Sequence, residues 1–133
     1  MIKANELRIG NIINYQGVKK IVNSLSSESI DVCYLANYGE FKYPNTPIEH
    51  IKPIPLTEEL LLKCGFISRS FKMSDISIKK DTNLYTLVYD LIKSECYLDL
   101  DFTFMTLDNE IKYLHQLQNL YFALTGEELE IKL

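Results

Sequence analysis

Histidine is scarce in this chain: two residues, His50 and His115, in 133. They stand 65 residues apart, so no HExxH zinc motif is present, and no Ser/His/Asp order appears. The five glycines are scattered as turn and cap residues, so no glycine-rich phosphate loop can be assembled. Cysteine occurs three times, at Cys33, Cys64 and Cys96, with long spacings and no CxxC. Neither a zinc knuckle nor a thioredoxin-like redox pair is therefore suggested, and three reduced, buried thiols fit a cytoplasmic setting. Basic excess is absent too. The formal net charge is -4 and the pI is near 5.2, which disfavours a general phosphate-backbone binder. No apolar run approaches the ~18 residues of a membrane span. The opening MIKANELRIGN has no apolar signal-peptide core, so cytoplasmic location is expected and no membrane partner.

What is present is ordinary globular composition, 47% hydrophobic and 24% charged, which argues against disorder. The first half divides into short strands. NIINY at 11–15 ends at Gln16-Gly17, a turn signal. VKKIVNSL at 18–25 follows, with an imperfect alternation that allows a bulge. SIDVCYL at 29–35 places Ile30, Val32 and Tyr34 on one side. ANYGEFKYPNTPIEH is rich in turn formers, and its two prolines discourage a central strand. IKPI at 51–54 suits a short edge strand. The expected result is a small SH3-like barrel or curled sheet over residues 1–55.

Residues 56–133 predict an α-β-β-β-α unit, so the fold class is α+β. A helix over 57–64 starts at Thr57 as N-cap, with Glu58 and Glu59 in its first turn, and stops at Gly65. Its three consecutive leucines, Leu60, Leu61 and Leu62, suggest a helix wedged between layers. Strands over about 75–104 form an antiparallel meander with one dry face and one wet face. The alternation of Cys96, Leu98, Leu100, Phe102 and Phe104 defines the dry one. A helix over about 110–125 covers it, and the two halves are expected to pack as one compact unit.

That last helix carries the main functional lead. At 100° per residue, Tyr113, Leu114, Leu117, Leu120, Tyr121 and Leu124 form the core arc. The opposite arc holds His115, Gln118, Asn119 and Phe122, with Gln116 at its edge. A phenylalanine among amides is unusual on a solvated face. Either this face packs on the N-terminal sheet, where the polar groups satisfy backbone atoms, or it is an interface for a protein partner or a second copy of the chain. A secondary candidate is the aromatic and basic set Tyr38, Phe41, Lys42 and Tyr43, with Tyr34, Arg8, Lys19 and Lys20 in the same half. Such surfaces stack on single-stranded nucleic acid or bind peptides; rings covering a small core are the plainer explanation. Asp99 and Asp101, near Glu95 and Asp90, could hold a divalent ion, although a solvated strand face is the commoner outcome. Cys64 lies at a helix C-terminus, where the dipole disfavours a thiolate. No catalytic motif, cofactor or metal site is expected, and the function expected is non-catalytic binding.

KANELRIGNIINY at 3–15, IKPIPLTEELLLKCGF at 51–66 and YLHQLQNLYFALTGEEL at 113–129 resemble a family of short proteins of Bacteroides-type gut bacteria and their phages and prophages. The resemblance covers both ends and the middle helix but not about 67–109. It implies a small cytoplasmic protein of mobile-element origin and carries over no catalytic residue. The LRIGN-strand-turn-strand opening is also similar to small barrels of the KOW and PRC type, which implies a ligand or nucleic-acid adaptor. Nucleic acid is the alternative partner, disfavoured by the acidic pI.

Overall fold

The computed structural model of the chain describes residues 2–27, 29–34, 42–69, 72–80, 83–99, 104–108 and 110–132. It is mixed helix and sheet, and divides into two compact units. One holds Met1–Pro55 with Tyr113–Asn119, the other Leu56–Lys112 with Leu120–Leu133.

The first unit is a barrel-like antiparallel sheet of five strands: β1 (Ile12–Tyr15), β2 (Val18–Leu25), β3 (Ser29–Tyr34), β4 (Lys42–Pro47) and β5 (Ile51–Lys52), in the order β4-β3-β2-β1-β5. Tyr15 pairs with Val18. Only two residues therefore turn the β1–β2 hairpin, Gln16 at φ 55° and Gly17 at φ 77°. Two positive φ values in succession suit the right-handed twist of the flanking strands. The Asn14 side chain accepts from the Gly17 N–H at 2.9 Å and locks the turn. Register shifts interrupt both the β2–β3 and β3–β4 pairings, and such bulges bend a sheet and increase its twist. The enclosed core is Ile2, Leu7, Ile13, Val22, Ile30, Val32 and Ile51. The proline-bearing segment forms an edge strand, β4, where a missing N–H costs no ladder bond.

The second unit begins with helix α1 (Glu58–Lys63). The Thr57 hydroxyl accepts from the Leu60 N–H at 3.1 Å, as an N-cap should. Gly65 follows the helix at φ 88°, a conformation that costs a residue with a Cβ about 1–2 kcal/mol. Leu60 and Leu61 are buried, but Leu62 is 51% exposed. The wedge expectation thus fails for the third leucine, because at about 100° per residue Leu62 lies roughly 160° around the helix from Leu60.

Five strands follow rather than three: β6 (Ile67–Ser68), β7 (Met73–Lys80), β8 (Asn83–Asp90), β9 (Glu95–Asp99) and β10 (Phe104–Asp108), in the order β10-β9-β8-β7-β6. The long alternation that began at Glu95 is two strands, since Phe104 pairs with Asp99 across an antiparallel ladder. Cys96 and Leu98 are buried as expected. Leu100 and Phe102 lie outside the described residues. The one-dry-face expectation is corrected at the middle strand. Leu87, Val88, Tyr89 and Asp90 are all buried, so both faces of β8 are covered there. Part of the reason is Tyr89, whose hydroxyl donates to the Ile111 carbonyl from the segment before the last helix. Asp90 is enclosed by its own turn. Its carboxylate accepts from the N–H groups of Ile92 and Lys93 and from the Tyr97 hydroxyl.

Helix α2 (Leu114–Thr125) closes the chain. Expected over the meander, it belongs in its first half to the unit of the barrel. Among the described residues, no helix is long and apolar enough to cross a membrane.

Candidate functional site

The polar residues of α2 sort into three environments. Gln116 is the third residue of the helix. Its side-chain oxygen accepts from the Tyr113 N–H at 3.0 Å, reaching back to the residue that precedes the helix. This is one half of a capping box, so Gln116 serves the helix start. The Leu114 N–H, which has no partner within its own helix, donates to the Ile54 carbonyl at 2.8 Å.

Gln118 and Asn119 meet the LRIGN segment at the other end of the chain. Gln118 is 2% exposed. Its oxygen accepts from the Ile12 N–H at 2.8 Å and its amide nitrogen donates to the Gly10 carbonyl at 3.2 Å. One side chain thus pairs the donor and the acceptor that flank Asn11. Asn119 accepts from the Asn11 side-chain amide at 2.8 Å and donates to the Glu6 carbonyl at 2.8 Å. Asn11 is fully buried, and its side-chain oxygen accepts from the Arg8 N–H at 2.7 Å. Two of the three stretches that carried the family resemblance, more than a hundred residues apart, are therefore one hydrogen-bonded network. The packing alternative weighed for this face accounts for its amides. His115, on the same arc, is buried as well, at 1% exposed.

His115 is stacked on Tyr113, with ring centroids 6.1 Å apart at 10°. Its Nε2 lies 3.8 Å from a carboxylate oxygen of Glu6, too far for a hydrogen bond, and neither ring nitrogen has a hydrogen-bond partner among the described residues. Burial holds the imidazole below its ordinary pKa of 6.5, and the Glu6 carboxylate offsets this only in part. The folded chain therefore resists a proton that the unfolded chain accepts near pH ~6.5. Between those two values the unfolded state binds more protons. Stability is complete above the unfolded value and falls as pH drops toward the folded one. Urea midpoints measured between about pH 7.5 and about pH 5.5 should fall on acidification. Most of that fall should vanish in His115→Phe.

Phe122 differs from its neighbours on the arc. It is 38% exposed, and it belongs to the second unit. The aromatic and basic candidates fare unevenly. Tyr38 and Phe41 lie outside the described residues. Lys42 and Tyr43 lie in β4, paired with Cys33 and Val32 of β3. Lys20 is 3% exposed, which removes it from any basic surface. Asp99 lies near Arg69, with a 3.8 Å ion pair, while the same guanidinium binds Asp75 at 2.7 Å. Asp101 is outside the described residues, and no group of three metal-ligating side chains occurs among the described ones. Burial pushes the Cys64 thiol up to about 12, far from a reactive thiolate at neutral pH.

Sequence reasoning missed one feature. In the second unit, a groove of about 340 Å³ opens at the end of α1, lined by Leu62, Lys63, Cys64, Gly65, Ile76, Tyr121, Glu127–Glu130 and Lys132. The chain after Gly126 builds one side of it. The Lys132 N–H donates to the Lys63 carbonyl at 2.9 Å, filling an acceptor left open at the helix end. Leu129 is 5% exposed and anchors the segment. The only signal in the sequence was Leu62, one leucine more than a short helix can bury.

No protein-family model, no curated protein and no solved structure matches this chain.

Proposed function

We propose that this protein is a non-catalytic binding module that acts through protein-protein contacts, with an SH3-like barrel as its first unit and its origin in a phage or prophage. The observation that carries the reading is the groove beside Leu62, where apolar side chains and charged groups share an open concave surface. Two groups with catalytic chemistry, the Cys64 thiol and the His115 imidazole, are buried.

The test is affinity isolation from a Bacteroides-type lysate with the native chain, Leu62→Asp and Phe122→Asp. Light scattering first establishes whether the chain self-associates. A partner, foreign or a second copy, that is lost with either folded variant supports the reading. A monomer whose captured proteins are unchanged by both variants overturns it.

A further inference from the structure

The groove has a chemical preference of its own. Its apolar part comes from Leu62, half exposed, and from Ile76 and Tyr121. Its charged part is mostly acidic. Glu127, Glu128 and Glu130 stand along one side. Of the two lysines there, Lys63 already faces Glu59 at 3.4 Å. The Tyr121 phenol reports the field inside. Its pKa is raised by burial first, and then by the carboxylates of Glu127 and Glu130. The whole chain carries -4, so long-range attraction also favours a cationic approach.

We infer that this groove is the docking site for a basic segment of a partner protein, one that presents arginine or lysine beside an aliphatic side chain. The long stem of such a residue covers apolar surface while its charged head stays at the wet rim. Here the stem lies on Leu62 and Tyr121, and the head reaches Glu127 and Glu130. A cation over the tyrosine ring adds its attraction to the quadrupole. The aliphatic neighbour takes the surface next to Ile76. An acidic or purely apolar segment gains one half of this at most. The groove volume, about 340 Å³, is at the small end of ligand-sized pockets and suits one or two inserted side chains.

This inference rests on the binding-module reading and names its surface and ligand class. The test uses the full chain, uniformly nitrogen-labelled, titrated with a capped peptide carrying leucine, arginine and lysine at its centre. A second peptide replaces the basic residues with glutamate. Amide shifts are expected at Cys64, Gly65, Ile76, Tyr121 and 127–132 with the basic peptide only. Raising salt from about 0.05 M to about 0.5 M should weaken binding severalfold. The double variant Glu127→Gln, Glu130→Gln should weaken it about 3- to 10-fold, since each exposed pair contributes up to ~1 kcal/mol. Neither residue is buried, so the variant should keep its fold. Shifts elsewhere, equal binding of the glutamate peptide, or no binding up to millimolar peptide overturn the groove assignment. The binding-module reading then still stands or falls on the lysate experiment.

Discussion

Replacing Gln118 with leucine is expected to lower stability by about 2–5 kcal/mol, read from the denaturant midpoint. The substitution conserves bulk and adds apolar character to a site that is 2% exposed. On burial alone it should be neutral or favourable. The hydrogen bonds decide otherwise. Gln118 is the acceptor for the Ile12 N–H and a donor to the Gly10 carbonyl. Leucine leaves both backbone groups without their partner, and each buried unpaired group costs about 1–3 kcal/mol. Few domains hold more than ~15 kcal/mol in total. If the midpoint is unchanged, the bonds are made to water instead and the network contributes little.

The second large effect is expected at Leu61, which is fully buried in α1. Leu61→Ala should cost about 2–5 kcal/mol, the range for deleting a buried leucine side chain. Leu62→Ala, one residue on and 51% exposed, should change stability by less than about 0.5 kcal/mol. Six residues are too few to form a helix by propensity, so α1 depends on its buried face and its Thr57 cap. The pair of variants separates burial from composition, because the two residues are chemically identical. Equal losses would mean that Leu62 also packs against the fold and is no part of an open groove.

Much of the local structure was legible in the sequence. Gln16-Gly17 marked the two-residue hairpin because few residue pairs tolerate two positive φ values. Thr57 and Gly65 bracketed α1 because capping is local chemistry. Val18–Leu25 was visible as a strand despite its broken alternation, and the break is the register shift opposite β3. Non-local facts were not legible. The residues from Glu95 to Phe104 alternate as one strand would, yet alternation does not register a chain reversal, so β9 and the first residue of β10 were expected in a single strand. The burial of Tyr89 on β8 draws on Ile111, whose carbonyl accepts from its hydroxyl 22 residues away. The polar arc of α2 showed that His115, Gln118 and Asn119 share a side. It could not show that Glu6, Gly10, Asn11 and Ile12 meet them, because no period links residues so far apart. Phe122 follows Asn119 by less than a turn, and helical spacing gave them one environment. The structure gives them two. The groove was hidden for the same reason. It joins α1, β7, α2 and the segment after Gly126, four stretches distant in sequence.

The polar side of α2 is bonded to the LRIGN segment through Gln118 and Asn119. Hydrogen exchange at the Ile12 amide tests this most directly, since its acceptor is a side chain of α2. In the native chain that amide should exchange as slowly as the central strands. In Gln118→Leu it should exchange much faster relative to them. Rapid exchange of Ile12 in the native chain, or equal protection in the variant, would contradict the account.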